Sequence, residues 1–304
     1  MIHVFIVNPQ AGRKKFAGNI REILQKKEGF DYFIFNTRNK RTEVELVKLI
    51  EEMFEDETIR YYCCGGSGTV RNVMSGITNL DKAQIAFYPC GLTNDFLKVF
   101  GKDEERFHNI DELIDGEVID IDYMKTNQGV CLNTVSFGMD TNTTEYVEQF
   151  NFLRVLGDDL PYTMSIFASI LAAKPVQYEI ETERGIVQRP SVELFYGNGF
   201  CVGGNLFFVK ETDVTDGTGY VRVCRAGSLF KLLEVFKSLL DKNYKKLNEI
   251  SQSWYTSFLK VRRTDGQPFA VNQDGELTEE LTEWNVEIVK QGLHFVVPKG
   301  VRPI

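Results

Sequence analysis

Tyr61-Tyr62-Cys63-Cys64-Gly65-Gly66-Ser67-Gly68-Thr69 runs from a short apolar segment straight into three glycines within four residues. Ile59 to Cys64 reads as a buried strand, since it is brief, continuous and closed by a turn signal. Val70 to Ile77 then continues with the pattern of a helix, so the glycines occupy a strand-to-helix turn. Glycine there lets the backbone approach a ligand closely and tolerates positive φ. A turn that opens a helix also presents unpaired N–H groups and the positive end of the helix dipole, an arrangement suited to phosphate. A tight turn without a ligand is the plainer reading of the same residues. Two better-known phosphate loops are excluded: no Gly-Lys-Ser/Thr closes the stretch, and a dinucleotide fingerprint needs glycine where Arg71 stands.

Outward from that turn the chain alternates. His3–Val7 reads as a strand, Phe16–Lys27 as a helix, Tyr32–Phe35 as a strand and Glu43–Phe54 as a helix with Val44, Val47 and Leu49-Ile50 on its apolar side. Beyond the glycines come strand Ile85–Tyr88, the loop Pro89-Cys90-Gly91-Leu92-Thr93-Asn94-Asp95-Phe96 and a further helix. Strands alternating with helices make parallel units, so residues 1–125 are expected to form an open α/β layer. Ligands of such sheets sit at the carboxyl ends of the strands, where the loops 8–12, 65–69 and 91–95 should converge. Near Val118 the pattern changes to strands at Gln177–Glu183, Val192–Tyr196, Gly219–Cys224, Phe258–Arg262 and Trp284–Val289. Residues 126–290 therefore read as an antiparallel β-sandwich interrupted by helices near 145–173 and 228–241, with the tail 291–304 free to return to the first domain.

Composition narrows the function. A net charge of −8 argues against a broad nucleic-acid surface. The six cysteines form no C-x-x-C pair and sit in apolar runs, so they are expected to be reduced and buried. Three scattered histidines leave no basis for a zinc site or a His-based triad. Val4–Val7 is too short for a signal-peptide core, and Ile166–Ala173 falls short of the roughly 20 residues that span a bilayer. The expectation is a soluble, cytoplasmic protein.

Taken in order, the motifs resemble those of the bacterial diacylglycerol/lipid kinases, which share a catalytic domain with sphingosine and ceramide kinases. Asn8-Pro9-x-Ala11-Gly12, Gly65-Gly66-x-Gly68-Thr69 and Pro89-x-Gly91-x-x-Asn94-Asp95-Phe96 come first. Asp122 to Asn127, Leu156-Gly157 with Tyr162 and Lys174-Pro175, and Asn198-Gly199 with Gly203-Gly204 follow. Asp213-x-x-Asp216-Gly217 and Asp274-Gly275-Glu276 complete the series. The resemblance covers nearly the whole chain. It implies an NAD-kinase-like α/β domain and a β-sandwich, with the active site in the cleft between them.

The resemblance also implies the chemistry. ATP would lie on Asn8, Pro9, Gln10, Ala11, Gly12, Thr37, Gly65, Gly66, Ser67, Gly68, Thr69, Arg71, Gly91, Thr93 and Asn94. Glu276 would take the proton of a lipid hydroxyl, with Asp274 as the substitute base, and Asp95 and Asp122 would belong to a carboxylate–Mg²⁺ network. Asp213, Asp216 and the Thr218 carbonyl would hold Mg²⁺. From the residues alone, Asp274-Gly275 is also a hairpin signal. The lipid would be met at the inner membrane surface, by a peripheral protein that a homodimer would also suit. The departures are Ser67 and Arg71 where the family has Asp and Asn, Asn72 and Leu92 where it has Glu and Thr, and Lys210 in place of a proline. They leave open a catalytically impaired member that binds lipid or nucleotide, and, less favoured, an NAD kinase. Residues 229–247 form a basic amphipathic stretch that either packs on its own domain or rests on anionic lipid.

Overall fold

The computed structural model describes the chain except residues 12–15, 28, 30, 38–39, 92–93, 156–159, 226–227 and 279, with the backbone alone for 16–19, 40–41, 148 and 154. It divides into two compact units: residues 1–123, 213–217 and 289–304, and residues 124–212 and 218–288.

The first unit opens with strand β1 (Ile2–Val7), helix α1 (Phe16–Gln25), β2 (Tyr32–Asn36), α2 (Lys40–Met53), β3 (Ile59–Gly65), α3 (Ser67–Gly76) and β4 (Ala83–Pro89). β1 pairs in parallel with both β2 and β3, and β3 with β4. Residues 294–296 of the chain's last strand add a further parallel neighbour on β4. All seven residues of β3 are buried, as a central parallel strand covered on both faces requires. Glycine 76 lets α3 lie against α2: an ideal Cβ there would stand 2.8 Å from the Val44 carbonyl oxygen. Val47 and Ile50 of α2 are buried, but Leu49, expected beside them, is 57% exposed. The helical step of about 100° per residue turns it off the stripe that Val47 and Ile50 share. After β4 the chain takes a long 3-10 segment, Asp95–His108, kinked at Gly101 with φ 56° rather than a plain α-helix. Helix α4 (Ile110–Ile114) and strand β5 (Glu117–Thr126) follow.

The second unit contains β6 (Gly129–Cys131), β7 (Thr134–Gly138), α5 (Met139–Gln149), a 3-10 turn (Asn151–Val155), α6 (Leu160–Ala172), β8 (Val176–Thr182) and β9 (Gly185–Gly197). It continues with the short pair β10 (Cys201–Val202) and β11 (Leu206–Phe207), then β12 (Gly219–Arg225), α7 (Leu229–Leu240) and α8 (Tyr244–Ile250). Strands β13 (Ser251–Thr256), β14 (Phe258–Arg263), β15 (Asn272–Gln273), β16 (Glu276–Leu277) and β17 (Glu283–Val297) complete the chain. Pairing is antiparallel throughout this unit, with β9 against β7, β8 and β12. β9 starts seven residues before the strand read at Val192, because residues 185–190 are exposed or half-buried and Gly185, Gln188, Arg189 and Pro190 leave only Ile186-Val187 apolar there, too short a run to mark a strand. Within the core of this unit, Trp284 meets Phe137 edge-on with ring centroids 5.1 Å apart, and Tyr178 and Phe269 close around them. All six cysteines are buried thiols outside any disulfide.

Glu193 of β9 is only 4% exposed and stands beside Asp140 of α5. One Glu193 oxygen accepts the Asp140 N–H at 3.0 Å, while Oε1 has no partner among the described residues. Burial and the Asp140 charge push the Glu193 carboxyl well above its ordinary range, so the folded state keeps a proton that the unfolded chain releases. The stability this gives is present below the unfolded value of 4.5 and is lost as pH climbs from there toward the raised value. Glu193→Gln should therefore flatten the fall in thermal midpoint between about pH 5 and pH 8 and add about 1–3 kcal/mol at the alkaline end. Parallel pH profiles for the two proteins would refute this.

Candidate active site

Three loops meet at the carboxyl ends of adjacent strands in the first unit, as the β-α alternation predicts. Gly65 ends β3 and Gly66 caps α3, with φ −100° and ψ −172° and no side-chain cap. The helix thus begins at Ser67, three residues earlier than its apolar pattern shows, which puts Ser67 and Gly68 in its first turn. Thr69 and Val70 both donate to the Gly66 carbonyl, at 3.0 and 3.3 Å. The Ser67 and Gly68 N–H groups are left without an acceptor among the described residues, facing the way the helix dipole favours an anion.

The glycines serve close approach rather than positive φ, which neither Gly65, Gly66 nor Gly68 adopts. A Cβ on Gly65 would run into the Thr69 hydroxyl, and one on Gly91 would lie 2.8 Å from the Gly66 Cα. Gly65 also receives the Cys90 N–H on its carbonyl, at 2.8 Å, which ties the end of β4 to the end of β3. Asn94, in the left-handed region at φ 45°, folds back so that its Oδ1 accepts the Gly91 N–H at 3.1 Å and its Nδ2 donates to the Gly91 carbonyl at 3.0 Å. From the third side, Asn8 donates its N–H to the Cys64 carbonyl at 2.9 Å and its Nδ2 to the Thr69 hydroxyl at 3.3 Å. Pro9, Gln10 and Ala11 continue that loop, with the Gln10 N–H turned back onto Asn8 Oδ1. Thr37 is buried just past β2 and donates its N–H to the Val7 carbonyl. Arg71 is half-buried one turn into α3. Asn72, where the family has glutamate, donates to the buried Glu43 carboxylate of α2 at 3.1 Å, a partner that would repel a second carboxylate. Gly12, Leu92, Thr93 and Leu156-Gly157 lie outside the described residues.

The acidic residues take several distinct places. Asp95 is buried at the head of the 3-10 segment. Asp122, on β5 and 0% exposed, accepts the Gly217 N–H on one oxygen and the Gln291 N–H on the other, each at 2.7 Å. Its own N–H donates to the Val214 carbonyl at 2.7 Å. Asp122 thereby clamps the loop 213–217, which groups with the first unit, while Thr218 begins the return to the second. Burial is the main influence holding the Asp122 carboxyl above its usual range; the two amides oppose it, and the charges of Asp216 and Asp213 add to it. Asp213 is turned onto its own loop, where Oδ1 accepts from the Thr215 N–H and hydroxyl. Among the described residues no three His, Cys, Asp or Glu side chains converge as a metal cage. Two exposed loop carboxylates with a backbone oxygen fit a hard cation that keeps much of its water, the habit of Mg²⁺.

In the second unit, Asp274 (φ 51°) and Gly275 (φ 86°) are the two central residues of a tight hairpin between β15 and β16, both with the positive φ of a type I′ turn. The Asp274 carboxylate accepts three backbone N–H groups, from Leu132, Asn133 and Thr134, at 2.8–3.0 Å. Those three hydrogen bonds make Asp274 the anchor of the hairpin. Glu276 follows at the start of β16, half-buried. The neighbouring motif residues also work by packing: Asn198 donates to the Leu132 carbonyl at 3.1 Å, and Gly203 leaves room for the Tyr162 ring.

Comparison with known proteins bears on this arrangement. The description "Diacylglycerol kinase catalytic domain" matches residues 3–126, and "YegS C-terminal NAD kinase beta sandwich-like domain" matches residues 133–297. The chain belongs to the diacylglycerol/lipid kinase family. Similar to this family member is a protein named diacylglycerol kinase from Bacillus subtilis (strain 168), 24% identical over 296 residues that cover 97% of this chain and 95% of the relative. A crystal structure titled as a diacylglycerol kinase from Bacillus anthracis str. Sterne superposes with a TM-score of 0.69 at 18% identity, covering 99% and 98% of the two chains. A second structure from that strain gives 0.74 at 20% identity with the same coverage, so the lipid-kinase fold is shared along the whole chain. No described helix of this kinase-family chain is long and apolar enough to cross a membrane. The Asp140–Glu193 pair lay outside the residues singled out from the motifs. Glu193 sits in an apolar strand and Asp140 at the start of a polar helix, and only the packing of the two elements brings them together.

Proposed function

We propose that the chain is an ATP- and Mg²⁺-dependent kinase that phosphorylates the hydroxyl of diacylglycerol or a similar lipid, working peripherally at the cytoplasmic membrane surface. The observation that carries this is the α3 N-terminus, where the Ser67 and Gly68 N–H groups stand without acceptors beside the Gly66–Gly91 contact. On this reading those amides grip phosphate oxygens, and Asn8–Gly12, Thr37, Thr69, Arg71 and Gly91–Asn94 line the nucleotide. Glu276 accepts the lipid hydroxyl proton. Bound Mg-ATP would supply the phosphoryl group and the positive charge that phosphoryl transfer needs, the metal being held by Asp213, Asp216 and the Thr218 carbonyl, with Asp95 and Asp122 in the surrounding carboxylate network. The test is transfer of labelled γ-phosphate to diacylglycerol in mixed micelles; no lipid phosphate at millimolar Mg-ATP would reject it.

Ser67 motivates a second reading, a member that binds but no longer turns over, because a hydroxyl at the helix start cannot supply a carboxylate's charge. Ser67→Asp separates the two. On the kinase reading the wild type is active and the substitution alters kcat by less than about tenfold, while the helix dipole adds about 0.3–1 kcal/mol of stability. An inactive wild type that gains turnover with Ser67→Asp would establish the impaired member instead.

A further inference from the structure

We infer that α6 and α7 of the second unit, with the 3-10 turn before α6, form the face by which this protein docks on an anionic lipid bilayer. The lipid-kinase reading gives the reason for meeting a membrane, and the inference rests on it only for that; the face itself follows from side chains it does not use. Among the described residues, eight of the sixteen exposed large hydrophobic side chains fall on these three short elements. On α6, Met164, Phe167 and Leu171 make an outward stripe, and Leu171 is 72% exposed. That helix carries no charged residue over its thirteen positions, an unusual composition for a helix side facing water. Phe230 on the first turn of α7 is 83% exposed, and Val155 on the 3-10 turn 88%. The Phe167 and Phe236 rings, 6.2 Å apart, join α6 to α7.

Charge identifies the occupant. The chain as a whole carries −8, yet residues 225–246 hold six basic side chains against two acidic ones. Lys231 and Lys237 on α7 are exposed and form no ion pair among the described residues, whereas Lys246 is drawn to Glu234 at 3.2 Å. An apolar helix pair edged with lysine suits headgroups of negative charge, with the aromatic and aliphatic tips entering the acyl boundary. A second copy of the chain suits it less, because a two-fold contact would set this basic edge against itself.

The experiment is sedimentation of the full chain with large vesicles of phosphatidylcholine, alone or with about one third phosphatidylglycerol. The wild type should bind the mixed vesicles and release in high salt. Leu171→Asp with Phe230→Asp, both at exposed positions, should bind at least about tenfold more weakly. Lys231→Ala with Lys237→Ala should lose about 25-fold on the anionic vesicles only, at about fivefold per lysine. Turnover of a short-chain diacylglycerol dissolved as monomer should be unchanged in both pairs. A wild type that ignores anionic vesicles overturns the inference, as does an apolar double variant that binds like wild type. So does a wild-type dimer that Leu171→Asp and Phe230→Asp dissociate while vesicle binding stays the same. Wild-type failure on the monomeric lipid together with normal vesicle binding would strike the kinase reading and leave the docking face standing.

Discussion

Glu276→Gln should lower kcat for lipid phosphorylation by about 10²–10⁴-fold while the Michaelis constant for Mg-ATP and the thermal midpoint hardly move. Glu276 begins a two-residue strand directly after the hairpin turn. The substitution keeps the side chain's shape and one acceptor oxygen but removes the group that can accept a proton. Phosphoryl transfer leaves the protein little covalent work beyond positioning and charge neutralisation, so the loss of the base appears in the rate. A purified Glu276→Gln protein with wild-type kcat would remove Glu276 from the proposed chemistry.

Its neighbour in sequence should behave in the opposite way. Asp274→Ala should cost about 3–5 kcal/mol of stability, because it strips acceptors from three buried amides at once. Alanine is also strained at φ 51°, where aspartate and asparagine are tolerated. For a domain of this size that loss lowers the thermal midpoint by roughly 10 °C. Asp274→Asn should cost less. Its single amide oxygen can take the place of Oδ1, which serves both Asn133 and Thr134, and leave only the Leu132 N–H unserved. Scanning calorimetry of the two variants checks the order; equal midpoints for Asp274→Ala and wild type would show that the three hydrogen bonds carry no weight. Together the pair of residues separates a rate effect from a stability effect within three positions of one turn.

Much of this was legible in the residues. The glycine turn and the Asp274-Gly275 hairpin are local matters of apolar period and permitted φ, and the parallel layer follows from the order in which such local segments alternate. Element ends were less legible. α3 starts at Ser67 because backbone geometry, not an apolar residue, marks its first turn. The final strand runs on to Val297, well past Val289, because its solvent-facing middle, from Glu287 to Gln291, breaks the alternation.

By itself the sequence determined which segments become strands and helices, and where the backbone can come close to an anion, since both depend on residues within a turn or two. Only the tertiary structure decided what the acids do. Asp122 holds a loop 95 residues away, and Asp274 holds an amide 142 residues away. Each accepts from a main-chain N–H, a donor that nearly every residue offers, so no side-chain pattern at the far end announces the partner.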